Sequence, residues 1–510
     1  MNALKPLEYK LKPDDQLCYI HIPKTAGSTL TAIADANFDV RTIAPAPRHL
    51  AEINPAAKTA NTSDEIAELL THYRLIRGHF SCNEIRKVLR QPVYMTVLRD
   101  PIDRVISVYE FFRRAGERGE AETHEYERLM AAASHNLLHF VQHPDPIVRV
   151  RTCNYQTQQL AQWDGARAEL LKLSEAELLD AAIRSLETFA WVGLTEQFQD
   201  SVFLLAYIFG WHPAVEYQSL RVVTQKSRRT GIADEVIAAI AAQNQLDTAL
   251  YHYAKQRFER QFLQMLTELN QQYGLADFQL PSVKGDGWDS AELKWGDGDR
   301  PTLAQLKPSL ERHYETRFLA AHPSPFTTLD FDFRQATFGT GWHRRNGGSN
   351  GLKSTGVPFR WTGPGTSSTL DFPLVTKTDL AVKLHISNSV AVDVLDSLTL
   401  TVNSHPVKLL PIESPSVEQT AQAKTRGGRS ALPSRRESRL LQGTIPRSAL
   451  VSSRGFVRFT VSVNRTAPLL SITQKPADTR LVGVAVRRLE LVPRESWLNP
   501  LKRWHRWRDR

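Results

Sequence analysis

Cysteine is scarce in this 510-residue chain: Cys18, Cys82 and Cys153 are the only three. That is too few for a disulfide framework, and none sits at a spacing that metal sites use. No run of about 18 apolar residues occurs, which argues against a membrane-spanning helix. Met1 to Asp15 is polar with interspersed lysine and proline, and lacks the apolar stretch of a signal peptide. The expectation is a reduced, cytoplasmic, soluble protein. What the chain does have is core-forming material: 41% hydrophobic and 23% charged residues, outside the disordered, collagen-like and disulfide-rich classes. Its length exceeds one ordinary domain and suits two large ones.

Positive charge is in excess but unevenly placed. The chain carries 64 Lys and Arg against 54 Asp and Glu, a net of +10. Between Glu413 and Arg510 there are 20 Lys and Arg against 7 Asp and Glu, a surplus of 13, so the preceding residues carry −3. The charge predicts a basic C-terminal region rather than a basic groove along the whole protein.

The first half alternates strands and helices. Leu17–Ile22, Tyr73–Arg77, Val93–Leu98 and Phe189–Leu194 read as strands. Asp100 is a helix cap and Pro101 suits the first helical position; Ile102, Val105, Ile106, Tyr109 and Phe112 then form a helical stripe. Phe198, Val202, Leu205 and Phe209 share one face of another helix, and helices over Asp234–Gln243 and Leu246–Tyr273 close the region. This pattern predicts an α/β domain over residues 1–274, with a parallel sheet flanked by helices. Residues 275–325 read as a linker that includes a short helix. Beyond Phe326 the period changes to two: Leu380, Val382, Leu384 and Ile386; Leu398, Leu400 and Val402; Phe459, Val461 and Val463; Val482, Val484 and Val486. Residues 326–496 therefore predict an antiparallel β-sandwich, interrupted by a flexible basic insertion over 413–439.

Two segments carry chemistry. The first, His21-Ile22-Pro23-Lys24-Thr25-Ala26-Gly27-Ser28-Thr29-Leu30, runs from a strand into a helix. Small residues at Ala26, Gly27 and Ser28 let backbone amides approach an anion, the helix start adds its dipole, and Lys24 adds a mobile cation. The same pattern also serves as an ordinary strand–turn–helix corner with a surface lysine. A nucleotide kinase loop differs, because there the lysine follows the second glycine. The second segment is Arg99-Asp100-Pro101-Ile102-Asp103-Arg104-Val105-Ile106-Ser107-Val108-Tyr109. Arg99 leaves a strand end, where ligands of open α/β sheets collect. Arg104 and Ser107 are three apart, on the polar side of the helix away from the apolar stripe. An arginine fork and a hydroxyl there suit a second phosphate; a capped helix with solvated charges is the plainer alternative.

Together, in this order and about 70 residues apart, the two segments resemble the sulfotransferases that use 3′-phosphoadenosine 5′-phosphosulfate (PAPS). The opening His-Ile-Pro-Lys-Thr is most similar to the carbohydrate branch that includes heparan and uronosyl 2-O-sulfotransferases. Asn154-Tyr155-Gln156-Thr157-Gln158-Gln159-Leu160 and Val192-Gly193-Leu194-Thr195-Glu196 fit the same resemblance, which spans about Leu17 to Gly274. It implies a P-loop-like α/β fold, PAPS as co-substrate without a metal, and a carbohydrate or glycolipid acceptor. By residue match, Lys24, Thr25, Ala26, Gly27, Ser28 and Thr29 would contact the 5′ side and Arg99 and Ser107 the 3′-phosphate. Lys226, Ser227 and Arg228, with Arg229, are similar to a late basic segment that helps hold the nucleotide. Arg77-Gly78-His79-Phe80 resembles the segment carrying the catalytic histidine, so His79 is the expected base, with Lys24 as the second catalytic residue. His21 reads as structural; Glu110, and more remotely His72 and His49, are alternative bases.

Two other readings stay open: a phosphotransferase using ATP and Mg²⁺, and a non-catalytic protein that binds nucleotide and glycan. In the second half, Trp342 and Trp361 either stack on sugar rings or fill the core. The tail, residues 497–510 (WLNPLKRWHRWRDR), interleaves Trp with Arg and Lys. It suits an anionic membrane surface, a polyanion, or packing back on the domain. No nucleic-acid recognition motif accompanies the charge.

Overall fold

The computed structural model describes residues 6–45, 63–119, 123–161, 172–213, 229–275, 300–322, 326–345, 358–412, 439–451, 455–469 and 480–494. The chain divides into two compact units. One comprises Met1–Ala34, Thr42–Val215 and Ser219–Tyr314; the other comprises Asp35–Arg41, Glu216–Gln218 and Glu315–Arg510.

The first unit is built on a four-stranded sheet of β1 (Gln16–Ile20), β2 (Leu75–Gly78), β3 (Pro92–Leu98) and β4 (Trp191–Leu194), in the order β2-β1-β3-β4. Every neighbouring pair is parallel. All five residues of β1 are buried, as are Val93 to Leu98 of β3. That is why these strands read as continuous apolar runs: a parallel sheet has helices on both faces. β1 stops at Ile20, two residues short of the apolar run, and leaves His21 and Ile22 to the loop. Phe189 caps the preceding helix, so β4 begins only at Trp191.

Five helices matter for the site: α1 (Gly27–Ala36), α2 (Pro101–Glu117), α3 (Tyr155–Leu160), α4 (Phe198–Phe209) and α5 (Gln245–Tyr273). α2 is capped as expected, its Asp100 carboxylate accepting from the Ile102 and Asp103 amides at 3.0 and 3.2 Å with Pro101 in the first turn. Val105, Ile106 and Phe112 of its apolar stripe are buried and Ile102 and Tyr109 half-buried, and Arg104, Ser107 and Val108 are buried as well. Val108 and Phe112 pack on Leu129, Phe140 and Val148, while Val105 and Ile106 pack on Val141 and Ile240. α4 likewise buries Ser201 through Phe209 rather than one face, because β4 and α5 both lie against it. Within the stretch expected as a linker, Leu303–Ala321 is a 19-residue helix.

Among its described residues the second unit contains a two-stranded antiparallel sheet of Ala467–Pro468 and Leu481–Val482 and two larger antiparallel sheets. One runs Leu409–Ile412, Arg439–Ile445, Leu380–Ser389, Val484–Pro493, Leu329–Asp332, with Arg360–Trp361 also paired to Val484–Pro493. The other runs His405–Val407, Thr399–Val402, Val457–Ser462, Ser367–Phe372. Inward residues of both, among them Phe331, Leu384, Leu489, Phe372, Leu400 and Phe459, form one buried cluster. The valine alternation at 482–486 is broken at Gly483, whose amide donates to the Thr362 carbonyl at 3.1 Å. A Cβ there would stand 2.7 Å from the Thr362 hydroxyl. Trp361 is buried, and Trp342 donates its indole N–H to the Thr369 carbonyl at 2.7 Å and packs on Phe333. Trp361 is thus taken into a buried cluster, and Trp342 is partly buried against the shared core. The insertion over 413–438 and the tail lie outside the described residues. No described helix is long and apolar enough to cross a membrane.

Phe459 sits at the centre of the shared cluster, facing Phe372 at 5.7 Å. Phe459→Ala should cost about 3–5 kcal/mol in urea unfolding; a loss under about 1 kcal/mol would mean that the sheets do not depend on one core.

Candidate functional site

Parallel strands end at a common edge. The loops leaving β1, β2, β3 and β4 therefore carry Lys24, His79, Arg99 and Glu196 to the same side of the sheet, where open α/β proteins bind ligands. Between β1 and α1, Lys24 and Ala26 adopt left-handed backbone angles, φ 73° and 63°. Each costs about 1–2 kcal/mol for a residue bearing a Cβ. Left-handed residues next to right-handed ones can turn successive N–H groups towards one point, the geometry that anion-binding concavities use. The first turn of α1 opens from this loop, with the Ala26 carbonyl accepting from Thr29 N–H at 3.1 Å.

The loop is shaped from within. Thr25 is fully buried and its hydroxyl donates to the Ile22 carbonyl at 2.8 Å. Its side chain braces the loop from inside, so any ligand contact from this residue falls to its backbone. Gly27 lies against the His21 ring, and a Cβ there would stand 1.8 Å from its Nε2. His21 is stacked in turn on Tyr19 at 5.3 Å, which fits the structural part expected of it. Ser28 is half-buried and Thr29 buried at the helix start. The Lys24 ammonium rests 4.5 Å above the Phe111 ring of α2.

Arg99 joins the two motifs. Its guanidinium donates to the Lys24 carbonyl at 3.0 Å. Its backbone is held by the Gln156 carboxamide, which accepts from Arg99 N–H at 3.0 Å and donates to Arg99 C=O at 2.8 Å. Glu196 accepts from the Asp100 amide at 3.1 Å and from the Tyr251 hydroxyl at 2.7 Å, with Arg99 Nε 3.9 Å away. Burial pushes the Glu196 carboxyl above its ordinary pKa, against the opposing pull of these donors. Arg104 and Ser107 are both buried, at 0% and 3% exposure, so the solvated-charge alternative does not hold for Arg104. The helices packed along α2 cover this side, and Arg104 donates to the Arg151 carbonyl at 2.9 Å while lying over the Tyr155 ring. Lys226, Ser227 and Arg228 lie outside the described residues. Arg229 is described, and pairs with Asp103 at 3.0 Å and with Asp100 at the head of α2.

His79 follows β2 directly. Its Nδ1 lies 2.8 Å from the His21 carbonyl. A carbonyl only accepts, so Nδ1 carries the proton and Nε2 keeps its lone pair. The two imidazole rings are 4.3 Å apart. Solvent reaches the His79 ring, yet the surrounding protein lowers its pKa by desolvation; the His21 carbonyl opposes this and the Arg151 charge adds to it. Arg151 is itself fixed by Glu125 at 2.5 Å and the Tyr155 hydroxyl at 2.6 Å. Glu110 pairs with Arg114 one turn along α2, at 4.0 Å. His72 stacks on Tyr73, and His49 lies outside the described residues. Sequence reasoning gave no role to Gln156, Glu196, Asp247 or Arg151. The first two stand inside segments whose resemblance had been noted, but their partners are far away in the chain.

Residues 7–171 match a family model described as the Sulfotransferase family, about a third of the chain. That stretch contains the β1–α1 loop, His79, Arg99 and Ser107, so the match falls on the residues of the strand-end site. No curated protein matches. One solved structure, a family GH115 4-O-methyl-alpha-glucuronidase with specificity for decorated arabinogalactans, is 11% identical, with 84% of this chain and 46% of that one covered. This chain thus spans less than half of its length, and the TM-score of 0.14 is too low for the likeness to bear on the fold.

Gly27→Ala should force the His21 ring out of place and cost about 1–3 kcal/mol in denaturant unfolding, as overpacking does. Adding His21→Ala should recover at least half of that loss. No recovery in the double variant would show that some other contact excludes a side chain at position 27.

Proposed function

We propose that the first unit is a PAPS-dependent sulfotransferase acting on a hydroxyl of a carbohydrate or glycolipid, similar to the heparan and uronosyl 2-O branch. The observation that carries this reading is the tautomer of His79. It presents an unprotonated Nε2 at the strand edge that also bears the β1–α1 loop and Arg99. The residues fit a nucleotide with two phosphate groups: the loop of Lys24, Ala26, Gly27, Ser28 and Thr29 on the 5′ side, and Arg99 with Ser107 on the 3′ side. Lys226, Ser227 and Arg228 are assigned to the same nucleotide on the resemblance alone.

In the reaction the acceptor oxygen attacks sulfur in line, and its proton passes to His79 Nε2. The new O–S bond forms as the bond from sulfur to the bridging oxygen breaks. The electron pair leaves on the 5′-phosphate of adenosine 3′,5′-bisphosphate. Lys24 neutralises charge developing on the bridging oxygen, and the loop amides hold the phosphate; as in phosphoryl transfer, positioning and charge stabilisation do most of the work. The lowered pKa keeps His79 neutral and able to accept a proton at neutral pH. No step requires a metal. The two larger antiparallel sheets are read as a β-sandwich that helps position the acceptor, and the basic tail as a contact for an anionic membrane surface in the cytoplasm.

His79→Ala should lower kcat by about a hundredfold or more with labelled PAPS and a panel of carbohydrate acceptors. The wild-type acid limb should have its midpoint below 6.5, because burial and Arg151 both disfavour the imidazolium. A loss under about tenfold would transfer the base role to Glu110. Lys24→Ala should reduce turnover far more than affinity for adenosine 3′,5′-bisphosphate; equal losses would count against its part in stabilising the leaving oxygen.

A further inference from the structure

Arg99 is the first residue past β3, where the sheet can no longer hold it. The last backbone bond from β4 to this strand joins Thr195 N–H and Leu98 C=O, and pairing with β1 ends at Thr96. The N–H and C=O of Arg99 are instead both bonded by one side chain, the fully buried Gln156. A carboxamide alone among side chains of this length carries an acceptor and a donor side by side, so Gln156 extends the ladder by one rung.

Gln156 is itself fixed from below. Its backbone N–H donates to Asp247 at 3.1 Å, and the same carboxylate accepts from Thr157 N–H and Oγ1, each at 2.8 Å. Asn154 enters α3 with φ 44° and accepts from the Leu246 and Asp247 amides, while its own N–H donates to Asn244. The first turns of α3 and α5 thus cap each other through the half-buried Asn154 and the buried Asp247. The chain of contacts runs from α5 through Asp247 and Gln156 to Arg99, and from the Arg99 guanidinium to the Lys24 carbonyl.

We propose that Gln156 is a positioning residue for Arg99, and through it sets the affinity for the 3′-phosphate of the nucleotide. This rests on the sulfotransferase reading. Gln156 is fully buried with its carboxamide engaged by Arg99, so it acts by fixing the backbone from which the phosphate-binding guanidinium projects. Because it is neutral, replacing it leaves the charge of the site unchanged. A change in anion affinity then reports geometry rather than potential.

The test is calorimetric titration of the full chain with adenosine 3′,5′-bisphosphate and with 5′-AMP, which differ only in the 3′-phosphate. Gln156→Leu should weaken the bisphosphate about tenfold or more while 5′-AMP moves by less than about twofold, so the ratio of the two affinities collapses. A folded variant that melts lower but keeps the wild-type ratio would make Gln156 a scaffold residue only and overturn the proposal. Equal weakening of both ligands would overturn it too. Asp247→Glu keeps both the Gln156 side chain and the charge, and displaces its anchor by one methylene; it should shrink the ratio about threefold, and an unchanged ratio would contradict the proposal even if Gln156→Leu fails to fold. Wild-type protein that does not distinguish the two ligands would remove the sulfotransferase reading itself, a result visible before any substitution is made.

Discussion

The site depends on one strained turn. Between β1 and α1 the chain holds Lys24 and Ala26 in left-handed conformations, and an isolated peptide would relax out of both. Three contacts keep it in place. The Thr25 hydroxyl ties the loop to Ile22 from inside, Gly27 accepts the His21 ring where any side chain would clash, and Arg99 reaches across to the Lys24 carbonyl. The sheet supplies one fixed end: β1 lies between β2 and β3, so it does not move without disturbing two neighbours.

Because the strands are parallel, this turn shares an edge with the other groups. His79 draws its tautomer from the His21 carbonyl, a group of the same loop, so the shape of the loop and the protonation of the His79 ring are linked. Arg99 belongs to both halves, with its backbone on Gln156 and its guanidinium on Lys24. A change at the α3–α5 junction therefore reaches the loop through hydrogen bonds alone.

Local rules made much of this legible. Asp100 and Pro101 announce a helix start, apolar runs mark the buried strands, and the small residues after Lys24 mark a tight corner from strand into helix. Period-two alternation separates the second unit from the first. What stayed hidden was set by tertiary partners. Nothing local tells that Thr25 turns inward, or that Arg104 and Ser107 are covered by helices formed 20 to 140 residues later. Gln156 and Asp247 look like ordinary polar helix residues, and their meaning lies in bonds spanning 57 and 90 residues. Trp342 and Trp361 read equally well as sugar platforms or core until the sheets are placed around them.

The central claim is that the strand-end site takes a nucleotide phosphorylated at the 3′ position. The most direct measurement is the melting temperature of the full chain with adenosine 3′,5′-bisphosphate and with ATP, each with and without Mg²⁺. A ligand at 100 times its dissociation constant adds about 2.7 kcal/mol of stability, enough to raise melting by several degrees. The account predicts a rise with the bisphosphate that does not need Mg²⁺, and none of comparable size with ATP. A rise only with ATP and Mg²⁺ would contradict it and assign the site to a phosphotransferase.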